Sequence, residues 1–203
     1  MYHLEVLRQL QVYRDKYMAF SNLLSTIFAN GNRVTDEKFA YFYAHDSMVI
    51  QVLNNGRSIK NVRAGVYTTA LGAHSYSSGI HHIRLHLEKG LATFGIHSRN
   101  IPPELDELAT RSYTYSSSMY GWIKDCGRVF DGEWYRYRYS DDDELREGGF
   151  IYTITLNCDE HRLTMIDEDT RKQDSIEVDL RRAPLPWCLV VDLPRMFSAV
   201  SLL

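Results

Sequence analysis

The first thirty residues carry apolar side chains at a helical spacing. Apolar residues recur in steps of four and three at Val6, Leu10, Tyr13, Tyr17, Phe20, Leu24 and Ile27. This heptad spacing predicts an amphipathic α-helix over residues 1–31 that ends near Gly31. Such a helix can pack on a neighbouring domain, or pair with a second copy as the end of a coiled coil. The pattern leaves both alternatives open.

From Val34 onward the apolar positions alternate with period two, and glycine and asparagine interrupt the pattern. Asn54-Asn55-Gly56 predicts a hairpin turn between strands at 47–53 and 57–62. Residues 81–88 and 150–157 alternate over their whole length. Further strands are predicted at 91–96, 118–124, 127–139, 161–166, 184–191 and 196–202. Many short strands joined by tight turns predict an all-β domain, an antiparallel β-sandwich, over residues 34–203.

Composition narrows the class of protein. The formal net charge is −3 with both signs mixed along the chain, so we expect no nucleic acid and no anionic membrane as partner. The three cysteines, Cys126, Cys158 and Cys188, lack the spacing of a disulfide framework or a zinc site, which favours a reducing compartment. The sequence shows no signal-peptide pattern and no apolar run of roughly 18 residues. We therefore expect a cytoplasmic or nuclear location.

Residues with catalytic or metal-binding chemistry do not fall into a recognisable arrangement. The sequence contains no G-x-S-x-G elbow and no phosphate-binding glycine loop. His82 and His86 share a predicted strand face, but roughly 13 Å separates their backbones at ~3.3 Å per residue, too far for one metal ion. We expect no enzyme activity, no cofactor and no metal site.

Several blocks, taken in order, resemble the SPRY family. They are Ser77–Leu87 (SSGIHHIRLHL), Leu91–Ile96, Ser118–Trp122 (SMYGW), Phe130–Gly132, Gly149–Ile166 and Met196–Leu202, with Met48–Arg57 similar to the strand and turn of the PRY half. Substitutions such as His82 and Ile83, in place of the usual aromatic pair, mark a divergent member. The resemblance implies a concanavalin-like β-sandwich that binds other proteins. It also implies a frequent place behind a coiled coil in tripartite-motif ubiquitin ligases.

Two stretches are candidates for contact with a partner. Residues 128–139 alternate tryptophan and tyrosine with arginine, the residue types enriched at interface hot spots. There we predict contact roles for Arg128, Phe130, Trp134 and Arg136, whereas Tyr135, Tyr137 and Tyr139 are expected to pack inward. In residues 73–78, His74 and Tyr76 either line a polar pocket or lie in a surface loop without a ligand, and the sequence leaves both alternatives open.

The predicted function is a protein–protein interaction module. It binds a peptide or a protein surface through loops at one end of the sandwich, near residues 73–78, 97–112, 124–148 and 167–175. By resemblance, it could be the substrate-recruiting part of a ubiquitin ligase, although the sequence has no RING or B-box array of cysteine and histidine. The alternative is a scaffolding module that forms a homodimer through residues 1–30.

Overall fold

The computed structural model describes residues 31–43, 49–101, 116–124, 127–131, 133–136 and 149–203. Except for Gly31, the helix predicted over residues 1–31 lies outside this part of the chain, as does Cys126. The strands in chain order are β1 (Asn32–Arg33), β2 (Phe39–Tyr43), β3 (Ile50–Leu53), β4 (Ser58–Asn61), β5 (Thr68–Gly72), β6 (Ile80–Lys89), β7 (Thr93–Ser98), β8 (Tyr120–Ile123), β9 (Gly127–Phe130), β10 (Glu133–Arg136), β11 (Phe150–Asn157), β12 (Arg162–Asp167), β13 (Gln173–Glu177), β14 (Trp187–Leu193) and β15 (Ala199–Leu202). In the described ranges, no helix combines the length and apolar character needed to cross a bilayer.

The strands form two sheets. The first has the order β13-β12-β11-β6-β15-β4-β3, with β1 beside β6, and the second has the order β10-β9-β8-β7-β14-β5-β2. Within the described residues, all neighbours are antiparallel except the short parallel pair of β1 and β6. The predicted antiparallel β-sandwich is therefore confirmed.

Inward-facing side chains of both sheets make one core. On β6, Ile83, Leu85 and Leu87 are buried, as the alternation in the sequence predicts. Trp122 is buried in the same core, between the two sheets. Leu156 and Cys158 also belong to this core.

Strand register places the described connecting segments at two opposite ends of the sandwich. The first rim consists of residues 34–38, 73–79, 158–161 and 178–186. The second rim consists of residues 62–67, 90–92, 168–172 and 194–198. The four loops predicted to form one binding surface do not share an end. Residues 73–78 lie at the first rim, whereas residues 168–172 lie at the second, where β10 also ends.

Apart from the two-residue strand β1, three strands were not predicted from the sequence. Every residue of β5 is buried, so this strand shows no alternation of apolar and polar positions. Strand β2 is almost continuously aromatic, and β13 is an edge strand rich in polar residues. A period-two pattern marks only strands with one buried and one solvated face, which explains why these three were missed.

The outer face of the second sheet contains a buried histidine. The His97 ring is fully buried, with Nδ1 2.7 Å from the Ser98 carbonyl oxygen and Nε2 2.9 Å from the Ser116 hydroxyl. A neutral ring satisfies both contacts if Nδ1–H donates to the carbonyl and Nε2 accepts from the hydroxyl. Desolvation on burial lowers the pKa of His97 to about 4, although the hydrogen bond to Ser98 opposes the shift. The fold therefore holds this imidazole neutral.

We expect His97 to make the protein less stable in acid. Its pKa falls from 6.5 in the unfolded chain to about 4 in the fold, so the unfolded state binds more protons between these values. Stability should therefore fall as the pH is lowered from 6.5 towards 4, by up to about 3 kcal/mol. Urea unfolding at pH 7.0, 5.5 and 4.5 measures this slope. His97→Gln should flatten this slope. Equal slopes for wild type and His97→Gln would contradict the assignment.

Candidate functional site

Of the predicted site residues, His74 and Tyr76 lie at the first rim, in the segment between β5 and β6. Tyr76 is buried, and its backbone exchanges hydrogen bonds with Trp187 at the start of β14. Its hydroxyl donates to a carboxylate oxygen of Glu37. Burial, and then the adjacent Glu37 carboxylate, raise the pKa of the Tyr76 phenol. The side chain therefore holds the loop in place from within rather than facing a ligand directly.

Glu37 is the centre of this rim and was not singled out in the sequence. Its side chain is only 1% exposed. Oε1 accepts backbone N–H groups of Lys38, Ala73 and His74 at 3.1, 2.8 and 3.2 Å, in addition to the Tyr76 contact at Oε2. A buried carboxylate with this many donors fixes the loop geometry. The half-exposed ring of His74 lies 3.6 Å from Asp36 and faces solvent beside this network.

Arg128 and Phe130 lie on β9, at the edge where the two sheets meet. The Arg128 guanidinium makes a bidentate contact with Asp174 of β13, and the indole N–H of Trp122 donates to the same carboxylate at 2.8 Å. This network joins the second sheet to the edge strand of the first. The Arg128 charge is thus compensated within the chain, although its side chain remains 36% exposed.

Phe130 stacks on Tyr135, with parallel rings and centroids 4.0 Å apart. Tyr135 is 44% exposed, so its predicted inward packing is wrong. Strand β10 is the edge of its sheet. The alternation along β10 places Tyr135 on the inner face, but the first sheet does not extend far enough to cover it. Trp134 and Arg136 pair with Val129 and Gly127 through their backbones, and their side chains lie outside the description.

The predicted site residues fall into two groups. Tyr76 forms a β-bridge with Trp187 on β14, and β14 is separated from β9 by β7 and β8. Tyr76 lies on the side of β14 away from β7. Four strand spacings of roughly 4.8 Å therefore separate the groups by about 19 Å. One short peptide could reach across this distance, but the two groups do not form a common pocket.

The second rim carries an exposed aromatic residue that the sequence prediction missed. Phe197, between β14 and β15, is 44% exposed and has a φ of 67°, in the left-handed region. Lys60 and Lys89 place their ammonium groups 5.6 and 5.7 Å from the ring centroid. The backbone N–H of Phe197 donates to the Asn61 carbonyl at 2.7 Å, which holds the strained residue in position. We call Lys60, Lys89 and Phe197 the lysine–phenylalanine site.

Neighbouring contacts make this part of the rim rigid. The Ser198 hydroxyl accepts a hydrogen bond from the backbone N–H of Leu91 at 3.1 Å. This bond links the 90–92 loop to the 194–198 loop next to Lys89. A Cβ atom at Gly90 would lie 2.5 Å from Ser198 Oγ, so the Ser198 side chain packs directly against the Gly90 backbone. Beyond them, Lys124 places its ammonium group 4.0 Å from the Phe150 ring centroid. Cationic groups packed on aromatic rings therefore recur at this end of the sandwich.

The sequence held a weak signal for this site. Met196–Leu202 is one of the blocks that resemble the SPRY family, but that resemblance indicates the fold and leaves the binding surface unspecified. A phenylalanine in a loop gives no sign of a positive φ, and Lys60 and Lys89 come from strands far apart in the chain. Only the register of β4, β15 and β6 brings the lysines to either side of Phe197.

Comparisons with known proteins agree with this fold. The chain is similar to the TRIM65 PSpry domain, with 12% identity and a TM-score of 0.66 over 89% of this chain and 94% of that one. It is similar to the SPRY domain of human HERC1, with 13% identity and a TM-score of 0.56 over 77% and 95% of the two chains. It also matches 27% of the stonustoxin chain, with 9% identity and a TM-score of 0.57 over 81% of this chain.

No family model matches the sequence, and no curated protein matches it. At these identities, the structural neighbours establish the fold. The chain has the SPRY fold, and the resemblance seen in its sequence blocks is confirmed at that level.

Proposed function

We propose that this chain is a non-catalytic protein-interaction module that docks a segment of a partner protein at the second rim. The observation that carries the proposal is Phe197, a large aromatic side chain held exposed in a left-handed backbone conformation between two lysines. The SPRY fold of the chain, shared with the TRIM65 and HERC1 domains, supports an interaction role.

The energetics of Phe197 favour a role in binding. A left-handed conformation costs a residue with a side chain roughly 1–2 kcal/mol. Exposing part of the aromatic ring to water leaves further apolar area unburied. Neither feature stabilises the free domain, and strained residues of this kind are found disproportionately at ligand contacts. A partner that covers the ring would recover the apolar burial.

The chemistry of the surroundings indicates what the partner carries. Lys60 and Lys89 are next to the ring, and the side chains of Arg195 and Met196 are exposed in the same loop. An apolar or aromatic partner residue would cover Phe197, and carboxylates beside it would meet the lysines. Such charge complementarity mainly raises the association rate and makes binding sensitive to salt.

Two finer roles are part of the proposal. The chain recruits substrate for a ubiquitin ligase whose catalytic part is elsewhere, a role supported by the sequence resemblance to domains of tripartite-motif proteins. The contact residues predicted on β9 and β10, namely Arg128, Phe130, Trp134 and Arg136, stay a prediction, favoured by the exposure of Tyr135. The alternative function, a scaffold that dimerises through residues 1–30, concerns residues outside the described part of the chain.

Removing the lysine–phenylalanine site should abolish partner capture. We expect Phe197→Ala, and separately Lys60→Glu with Lys89→Glu, to reduce recovery of specific partners at least tenfold in affinity purification with quantitative mass spectrometry. Truncating an aromatic hot-spot residue typically costs about 2 kcal/mol or more, which corresponds to this factor.

Tyr41→Ala is the matched control, because Tyr41 is an equally exposed aromatic residue on β2 of the other sheet. It should leave the captured set unchanged. Melting curves of all variants show whether the fold is intact. Partners that are retained by Phe197→Ala and lost from Tyr41→Ala would refute a docking site at the second rim.

A further inference from the structure

The outer face of the first sheet is buried at its centre. In a two-layer antiparallel sandwich, the outer face of each sheet normally meets solvent. On β6, β11 and β12, the side chains of His82, Thr153 and Ile166 are at most 1% exposed. They point outward, because their neighbours along the strands, such as Ile83 and Ile154, belong to the core between the sheets. Burial this complete indicates a further layer of protein on this face.

An ion pair on the same face is also shielded from solvent. The Arg84 guanidinium makes a bidentate contact with Glu168, with nitrogen–oxygen distances of 2.8 and 2.7 Å. Glu168 also accepts a hydrogen bond from the Thr153 hydroxyl at 2.7 Å. The Glu168 side chain is only 11% exposed, although charged side chains on an open sheet face are mostly solvated. The covering layer therefore reaches the ion pair.

The chain enters the described part of the structure against this face. Strand β1 runs parallel to β6, with Arg33 opposite His82. A Cβ atom at Gly31 would lie 2.4 Å from His82 Nε2 and 2.8 Å from a methyl group of Ile80. Both of these side chains point outward from β6. Residues 1–30 therefore end directly beside the buried histidine.

The other long segments outside the described ranges attach to the sandwich at different places. Residues 44–48 join β2 to β3, and residues 137–148 join β10 to β11, both at the second rim. Residues 102–115 join β7 to β8 in the second sheet. Of these long segments, residues 1–30 alone attach to the first sheet at the first rim, where His82 lies.

We propose that residues 1–30 pack as a third layer on the outer face of the first sheet, with their apolar seam against His82, Thr153 and Ile166. The heptad pattern of the sequence supplies seven apolar positions for this contact. A helix over these residues would be about 45 Å long, and β6 extends over roughly 33 Å, so the segment can cover the face. A seam buried in this way is unavailable for a coiled coil, and the chain is a monomer. Docking at the second rim is independent of this arrangement.

The test places charges on the seam of the full-length chain. Tyr17→Asp combined with Leu24→Asp introduces two carboxylates at seam positions. Arg8→Asp combined with Asn22→Asp is the matched control, because residues two positions from the seam lie on the opposite side of a helix. Melting curves of both double variants report whether the sandwich remains folded.

Chemical labelling of histidine measures whether the face is covered. Diethyl pyrocarbonate acylates accessible imidazole nitrogens, and mass spectrometry of peptides follows each histidine separately. The half-exposed His74 is the internal reference, and we expect His82 to react at least tenfold more slowly in wild type. The seam variant should raise the rate at His82 at least tenfold. The control variant should change it less than twofold, and His97 should stay protected in all three proteins.

An unchanged rate at His82 in the seam variant would overturn the proposal. Faster labelling of His97 in place of His82 would also overturn it, because the segment would then cover the second sheet. Should the double variant not fold, Tyr17→Ala tests the same contact without adding a charge. We expect it to raise the rate at His82 at least threefold, and no rise would count equally against the proposal.

Sedimentation equilibrium separates this packing from pairing of two chains. We expect a monomer for wild type and for both double variants at micromolar concentration. A wild-type dimer that becomes a monomer with Tyr17→Asp and Leu24→Asp would overturn the proposal in favour of a coiled coil.

Discussion

Gly95→Ala should prevent the domain from folding stably. A Cβ atom at Gly95 would lie 2.0 Å from the Tyr120 carbonyl oxygen and 2.6 Å from the Gly121 Cα. These are backbone atoms of the paired strand, so no side-chain rotation relieves the collision, and β7 and β8 would have to separate in the middle of the second sheet. Overpacking typically costs about 1–3 kcal/mol, and we expect more than this where a ladder must open.

Urea unfolding of purified protein, or soluble yield where unfolding cannot be measured, checks the expectation. Gly65→Ala is the control. It has a φ of 74°, but a Cβ there meets nothing within 4 Å. That variant should lose only the roughly 1 kcal/mol of a left-handed alanine. If Gly95→Ala were no less stable than Gly65→Ala, the close approach of β7 and β8 would be wrong.

The second large effect is expected for Glu37→Ala. This change removes the acceptor of three backbone N–H groups and of the Tyr76 hydroxyl, all inside the first rim. The Ala73 N–H keeps a second acceptor, the Lys38 carbonyl oxygen at 2.7 Å. The N–H groups of Lys38 and His74 and the Tyr76 hydroxyl lose this acceptor. An unpaired buried donor pays the full cost of its desolvation, so the free energy of unfolding should fall by about 3–5 kcal/mol. Chemical denaturation at neutral pH measures the loss.

Glu37→Gln should be milder, because one amide oxygen still accepts hydrogen bonds. The neighbouring Asp36→Ala should change stability by less than about 0.5 kcal/mol, since its side chain is largely exposed. A loss of less than 1 kcal/mol for Glu37→Ala would show that the loop is held by its apolar contacts instead. The sequence gives no hint of this role, because an isolated glutamate in a loop is usually solvated.

Sequence periodicity was sufficient for strands with one buried face. It predicted β6 and β11 closely, together with the hairpin at Asn54-Asn55-Gly56. It failed for β5, which is buried throughout, and for the polar edge strand β13. Alternation of apolar and polar residues indicates a strand with one buried and one solvent-exposed face. It gives no signal where both faces of the strand are buried or both are exposed.

The candidate site was less accessible to sequence reasoning than the fold. Residue types enriched at interfaces drew attention to Arg128, but its guanidinium is neutralised by Asp174, more than forty positions away in the chain. Phe197 was passed over, because its importance comes from a backbone angle and from two lysines on other strands. Sites assembled from distant segments depend on topology, which residue type alone does not report.

The two last strands hold together parts of the chain that are made much earlier. The β3–β4 hairpin joins its sheet through β15, and the β2–β5 pair joins the other sheet through β14. Until β14 and β15 have been synthesised, the β3–β4 pair and the β2–β5 pair each have one strand edge without its partner. Neither sheet is complete at that stage. Sheets that are completed by the last strands of the chain favour slow folding and the transient exposure of unpaired, aggregation-prone strand edges. Chaperone demand during synthesis should therefore persist until Trp187–Leu202 has left the exit tunnel.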